Sequence, residues 1–77
     1  MDLFIDREMA AKNLKLAEKH VREGQRRVDA QLALMAKLER DGHNVREAGR
    51  LLRLLEELLA LHTKHRDRIA REFEPAV

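Results

Sequence analysis

Apolar and small residues recur every three or four positions along the first half of the chain. This spacing places side chains on one face of an α-helix. Residues 3–40 contain no Pro and a single Gly, so the pattern predicts one long helix over about residues 3–40. The positions that follow this spacing are Leu14, Ala17, Val21, Gly24 and Val28, and, after a one-position shift, Leu32, Met35 and Leu38.

Residues 41–44 form the main break in this pattern. Gly42 suits the left-handed conformation that closes a helix, and Asn44 suits an N-cap, with Glu47 three residues later completing a capping box. A second helix is predicted over about residues 45–73. Because the connection is short, the two helices must run antiparallel. The sequence therefore predicts an all-α, antiparallel two-helix hairpin that forms a single domain over residues 1–77.

The position of the turn also predicts which residues pair across the hairpin. Residues whose numbers add to about 87 should lie side by side. This places Val28 against Leu59 and Leu32 against Leu55, which are apolar pairs. It also places Gly24 opposite His62, a small residue facing a larger one.

The second helix carries more leucines than one partner helix can cover. Leu52, Leu55 and Leu59 face the first helix in the predicted register, while Leu16 and Leu34 of the first helix remain outside it. An uncovered apolar patch usually marks an interface, so we expect a homodimer of hairpins, a four-helix bundle. A monomer whose twist hides the patch is the alternative. The leucines predicted to form the interface are Leu51, Leu54, Leu58 and Leu61.

The composition is typical of a small helical protein whose own core is only marginally sufficient for stability. The chain has 77 residues, of which 44% are hydrophobic and 39% charged, with a net charge of +2. A core of this size is marginal without disulfides, metals or oligomerisation, and the absence of Cys excludes disulfides. Since no apolar run reaches the roughly 18 residues of a membrane span and no signal peptide is apparent, we expect a cytoplasmic protein.

Four side chains are candidates for a metal site. His20, Glu23, His62 and His65 come near one level on the facing helices of the predicted hairpin, and helical bundles bind zinc or iron with such groups. The chain has no HExxH motif and no repeated Glu-x-x-His pattern. In the alternative interpretation His62 bonds to a carboxylate at the edge of the seam and the other histidines are solvated. We expect no metal and no cofactor.

The segment 62–71 is the most basic part of the chain, and Arg22, Arg26 and Arg27 lie near it in the predicted hairpin. Such a cluster could contact a phosphate backbone. Acidic residues are interleaved with it, however, and no aromatic residue is placed for base stacking. Nucleic-acid binding is therefore the alternative to our main hypothesis, a small protein-interaction or regulatory module, whose partner is a second copy or another protein.

The sequence contains few side chains that could act as the nucleophile of an enzyme. There is no Ser or Cys, and Thr63 is the single Thr. The glycines are scattered and form no phosphate-binding loop. We therefore expect that the protein is not an enzyme.

Several short segments resemble a group of short, uncharacterised alphaproteobacterial helical-hairpin proteins, to which no function is assigned. The resemblance covers about residues 20 to 70. It implies a bacterial, cytosolic hairpin and implies no catalytic or binding residue. The segments that carry it are Leu38–Asn44, Glu47-Ala48, Leu51-Leu52, Glu56-Glu57, Leu61-His62 and His65–Ile69.

Overall fold

Two α-helices joined by a short connection make up the fold. The computed structural model describes residues 3–73, with side chains from Arg7 onward; α1 spans Leu3–Arg40 and α2 spans Arg46–Phe73. The two helices pack against each other, and no strand occurs within residues 3–73. The prediction of an all-α two-helix hairpin is confirmed for this part of the chain.

Gly42 ends α1 in the way that the sequence predicts. Its φ is +76°, in the left-handed region that glycine adopts without steric cost. The Gly42 amide donates to the carbonyl of Glu39 at 3.1 Å, and the His43 amide donates to the carbonyl of Leu38 at 2.8 Å. These two bonds form a Schellman motif, which satisfies carbonyls that the end of a helix leaves without partners.

Asn44 caps the start of α2. Its side-chain oxygen Oδ1 accepts a hydrogen bond from the Arg46 amide at 2.8 Å, as expected of an N-cap residue. Glu47 behaves differently from the capping-box prediction. Its carboxylate pairs with the Arg50 guanidinium at 2.8 Å instead of turning back to Asn44, because Arg50 lies one helical turn further on.

The helices are antiparallel, but their register differs from the predicted one by about one helical turn. A Cβ on Gly24 would lie 3.8 Å from the Leu59 Cα, and one on Gly49 would lie 3.7 Å from Met35 Cε. The numbers of these paired residues add to 83 and 84, so the predicted sum of 87 is wrong at these contacts. In this register Arg46, the first residue of α2, lies beside residue 37 of α1. Because α1 ends at Arg40, the connection between the helices runs back along the last turn of α1.

The apolar stripe of α1 continues without the predicted one-position shift. Gln31, three residues after the buried Val28, is only 7% exposed, whereas Leu32 is 48% exposed. The prediction that Leu32 packs against Leu55 is therefore wrong. One position along a helix rotates the side chain by about 100°, so Leu32 lies on a flank of α1 and Gln31 faces α2.

Little of the hairpin is fully buried. Among the described residues, Ala17 and Val28 are the buried hydrophobic side chains, and α2 contains no buried residue. The molecule measures 60 × 20 × 14 Å. A helix with its side chains is about 10–12 Å across, so the hairpin is a single layer of two helices whose broad faces are both open.

Candidate interaction surface

The exposed leucines of α2 lie on one face of the helix. We call Leu51, Leu54, Leu58 and Leu61 the leucine stripe. Their exposed fractions are 47%, 61%, 41% and 64%, and their spacing of three, four and three residues keeps them on one side. At about 1.5 Å per residue the stripe is roughly 15 Å long. The single hairpin thus leaves these four side chains substantially exposed, as the spacing of the leucines predicts.

The remaining leucines of α2 turn toward α1. Leu52, Leu55 and Leu59 are each partly buried, and Leu59 packs closely on Gly24, where a Cβ would lie 3.2 Å from Leu59 Cδ1. The missing side chain at Gly24 thus allows close approach of the two helices. The division of the leucines of α2 into a covered and an exposed set, predicted from spacing, agrees with the observed exposures.

Helix α1 contributes further apolar residues to the same face of the hairpin. Leu16 is 51% exposed and lines a groove together with His65 and Arg68 of α2. Met9 and Leu34 are seven and eighteen residues from Leu16, which are near-whole numbers of helical turns, and they are 56% and 45% exposed. Leu16 and Leu34 are predicted from the sequence to lie outside the hairpin contact, whereas Met9 is not, although its seven-residue spacing from Leu16 indicates the same face.

Polar and charged residues continue the leucine stripe at both ends. Glu47 precedes Leu51 by four residues, and His65 and Arg68 follow Leu61 by four and seven. All three are exposed. Arg68 Nη2 lies 3.3 Å from His65 Nδ1, which places both groups together at the far end of the stripe. The stripe therefore ends near the turn at Glu47, which is paired with Arg50, and near the open end of the hairpin at His65 and Arg68.

The candidate metal ligands are only partly brought together. The ring centroids of His20 and His62 lie 5.2 Å apart with an angle of 48° between the planes, and both residues are partly buried. His65 contacts Arg68, and Glu23 is partly buried on α1. Over the described residues, no group of three or more His, Asp or Glu side chains is arranged to hold a metal ion.

The basic end of α2 forms a shallow groove. Its volume is about 230 Å³, and it is lined by Leu61 and four basic or titratable residues: Lys64, His65, Arg68 and Arg71. Arg66 does not line this groove, and its guanidinium pairs with the neighbouring Asp67 at 2.8 Å. The basic residues of the segment 62–71 thus lie on different sides of α2. Lys64, Arg68 and Arg71 line the groove, and Arg66 lies in an ion pair outside it.

Comparison with known proteins gives no relative from which a function could be transferred. No protein-family model, no curated protein and no solved structure matches the chain. Neither described helix contains a stretch that is long and apolar enough to cross a membrane. Any functional proposal therefore depends on the surfaces of the hairpin itself. The leucine stripe holds four of the eight large hydrophobic side chains that are exposed among the described residues.

Proposed function

We propose that this protein is a small, non-enzymatic interaction module that self-associates through the leucine stripe, two hairpins forming a four-helix bundle. The observation that carries the proposal is the alignment of four substantially exposed leucines, Leu51, Leu54, Leu58 and Leu61, on one face. The transfer of apolar surface of this kind out of water is favourable and stabilises the complex that buries it. Fully burying one leucine contributes on the order of 1.5–3 kcal/mol.

The thin interior of the hairpin supports the same proposal. Domains are built from at least two packed layers around a hydrophobic core, whereas this hairpin is 14 Å thick. Its buried apolar side chains, among those described, are Ala17 and Val28. A second hairpin placed on the leucine stripe would supply the missing layer and enlarge the core.

The accessible surface is also larger than a compact monomer requires. The chain exposes 6493 Å², whereas a compact folded protein of 9.0 kDa would expose about 4,900 Å². The excess of about 1,600 Å² is more than the roughly 800 Å² that each partner contributes to a standard stable interface. The hairpin therefore has enough surplus surface to form a stable dimer.

Replacing one stripe leucine by a charged residue tests the proposal. We expect the wild-type protein to sediment as a dimer at micromolar concentrations and the Leu58→Glu variant to dissociate, with partial loss of helix by circular dichroism. A buried carboxylate in the bundle would be unpaired and costly. Leu32→Glu is the matched control, because Leu32 is also about half exposed but lies away from the stripe.

Two results would overturn self-association. The first is a wild-type protein that remains monomeric over the whole accessible concentration range, which would leave the stripe for a different protein. The second is an equal effect of Leu58→Glu and Leu32→Glu on the sedimentation coefficient. In that case the dimer would not depend on the leucine stripe.

The groove beside Leu61 favours a second candidate, an accessory protein that contacts nucleic acid. Lys64, Arg68 and Arg71 present positive charge along one side of α2, and such charge binds phosphate backbones in a salt-dependent manner. Binding to duplex DNA or RNA that weakens with salt and is lost in Arg68→Glu would favour this function. The expected bacterial source stays a prediction that rests on the resemblance, and the expected cytoplasmic location one that rests on the resemblance and on the sequence features given above.

A further inference from the structure

The leucine stripe and its charged ends together form a pattern that is complementary to itself when reversed. Along one side of α2 the order is Glu47, then four leucines, then His65 and Arg68. We infer that the occupant of the stripe is a second copy in the antiparallel orientation, with α2 packed on α2 of the other copy. This inference rests on the proposed self-association and specifies its geometry.

The spacing of the leucines fixes the centre of the arrangement. A two-fold axis that crosses α2 level with residue 56 places Leu54 against the other copy's Leu58 and Leu51 against its Leu61. All four leucines of each copy then face leucines. Residues at equal distances on either side of the axis are exchanged, so both halves of the interface are the same, as in any isologous dimer.

The charged ends support this orientation. The same axis brings Glu47 of one copy level with His65 of the other, twice per dimer. Both side chains are exposed in the hairpin. Glu47 already pairs with Arg50, but this ion pair is exposed and therefore weak, so Glu47 can turn to the other copy. If the two α2 helices were parallel, Glu47 would face Glu47 and Arg68 would face Arg68, and like charges placed together disfavour association.

The remaining face-to-face arrangement places α2 of one copy over α1 of the other, with both turns at the same end. In the observed register, Leu58 and Leu61 would then lie level with residues 25 and 22 of the other copy's α1. The nearby residues on that face of α1 are polar, since Glu23 and Arg27 lie seven and eleven positions from Leu16. This arrangement would place Leu58 and Leu61 beside charged residues.

Like charges oppose the antiparallel arrangement at two places. The two exposed Glu57 side chains lie close together beside the axis. Arg50 and Lys64 lie on the outer flank of the stripe, at similar levels in the two copies. Both are exposed, and Arg50 already pairs with Glu47 at 2.8 Å. Exposed ionic interactions are weak because water screens them, so the burial of eight leucines outweighs this repulsion.

Distances between spin labels test the orientation. The chain contains no Cys, so Glu57→Cys and Arg71→Cys each introduce a single nitroxide site. These positions are 14 residues apart, which is about four helical turns, so both project from the same side of α2. In the antiparallel dimer the two labels at position 57 lie close together, whereas those at position 71 are separated by about 45 Å along the helix axis.

A parallel dimer predicts nearly the same label distance at both positions, and that result would overturn the inference while leaving self-association intact. Failure of self-association is recognised separately, because both labelled proteins would sediment as monomers and give no distance between labels. Each labelled variant is compared with the wild-type protein by sedimentation before the measurement, so that disruption by the label is detected.

Exchange of the end charges gives an independent test. Glu47→Lys faces the other copy's His65 and Arg68 in the antiparallel dimer, and we expect it to raise the dimer dissociation constant by about threefold to tenfold. Adding His65→Glu to the same chain should restore most of the affinity. A dissociation constant that is unchanged by Glu47→Lys, or that the second substitution does not restore, would overturn the inference.

Discussion

Gln31 is the residue whose position the amino-acid pattern predicts least well. It faces α2 with only 7% of its surface exposed, and its side-chain nitrogen Nε2 donates to the carbonyl of Ala48 at 2.8 Å. Buried polar groups are retained at low cost only when they are hydrogen-bonded. The bond connects α1 to the first turns of α2, so Gln31 helps to define the register of the hairpin.

Gln31→Glu should destabilise the hairpin by about 2–3 kcal/mol at pH 7, because an ionised carboxylate cannot donate to the Ala48 carbonyl and is poorly solvated there. Gln31→Met is the matched control of similar size. It should change the unfolding free energy by less, since the Ala48 carbonyl keeps its bond within α2. Urea unfolding at equal protein concentration measures both.

The pH dependence of the same variant checks the cause. A protonated carboxyl group can donate a hydrogen bond, so the difference between Gln31→Glu and the wild-type protein should narrow as the pH falls through the titration of that carboxyl group. A difference that stays constant between pH 7 and pH 4 would point to packing rather than charge as the cause of the loss.

The turn between the helices is the element that local sequence determines most directly. The φ of Gly42 is +76°, and a Cβ added there would meet no atom within 4 Å. A substitution at this position therefore changes backbone preference without creating a clash. The Asn44 cap then begins α2 two residues later.

Gly42→Ala should lower the unfolding free energy by about 1–2 kcal/mol, the cost of the left-handed conformation for a residue with a Cβ. Gly42→Asn should cost less, because Asn tolerates this conformation better than Ala. Denaturant unfolding of the three proteins at one concentration gives the comparison. Equal stability of the Ala and Gly proteins would show that the turn adopts another conformation in solution.

The whole molecule is more extended than its chain length requires. Its radius of gyration is 17.6 Å, whereas a compact 77-residue domain would have about 11–12 Å. An extended single layer buries few side chains, so the proposed association would add buried apolar surface that the single hairpin lacks. Folding and dimer formation should consequently be coupled.

Thermal unfolding should therefore depend on protein concentration. When only the folded form associates, a higher concentration stabilises it by mass action, and the melting temperature of the wild-type protein should rise over a hundredfold range of concentration. The Leu58→Glu variant provides the comparison, since its melting temperature should be lower and nearly independent of concentration. A wild-type melting temperature that does not change with concentration would contradict the coupling.

The sequence by itself determined the helices, the turn and the exposed leucine stripe. These features depend on local spacing and on the conformational preferences of single residues such as Gly42 and Asn44, which act within one or two turns of a helix. Spacing also separated Leu52, Leu55 and Leu59 from the stripe, because 3.6 residues per turn fixes which side chains share a side.

Only the tertiary structure decided the register and the residues that meet across it. The connection runs back along α1 before α2 begins, which moves Leu59 to Gly24 and brings His62 to His20. Hydrophobicity favoured Leu32 for the inner face, but the geometry of the two packed helices places Gln31 there. These outcomes depend on contacts between residues distant in the chain, so no local pattern specifies them.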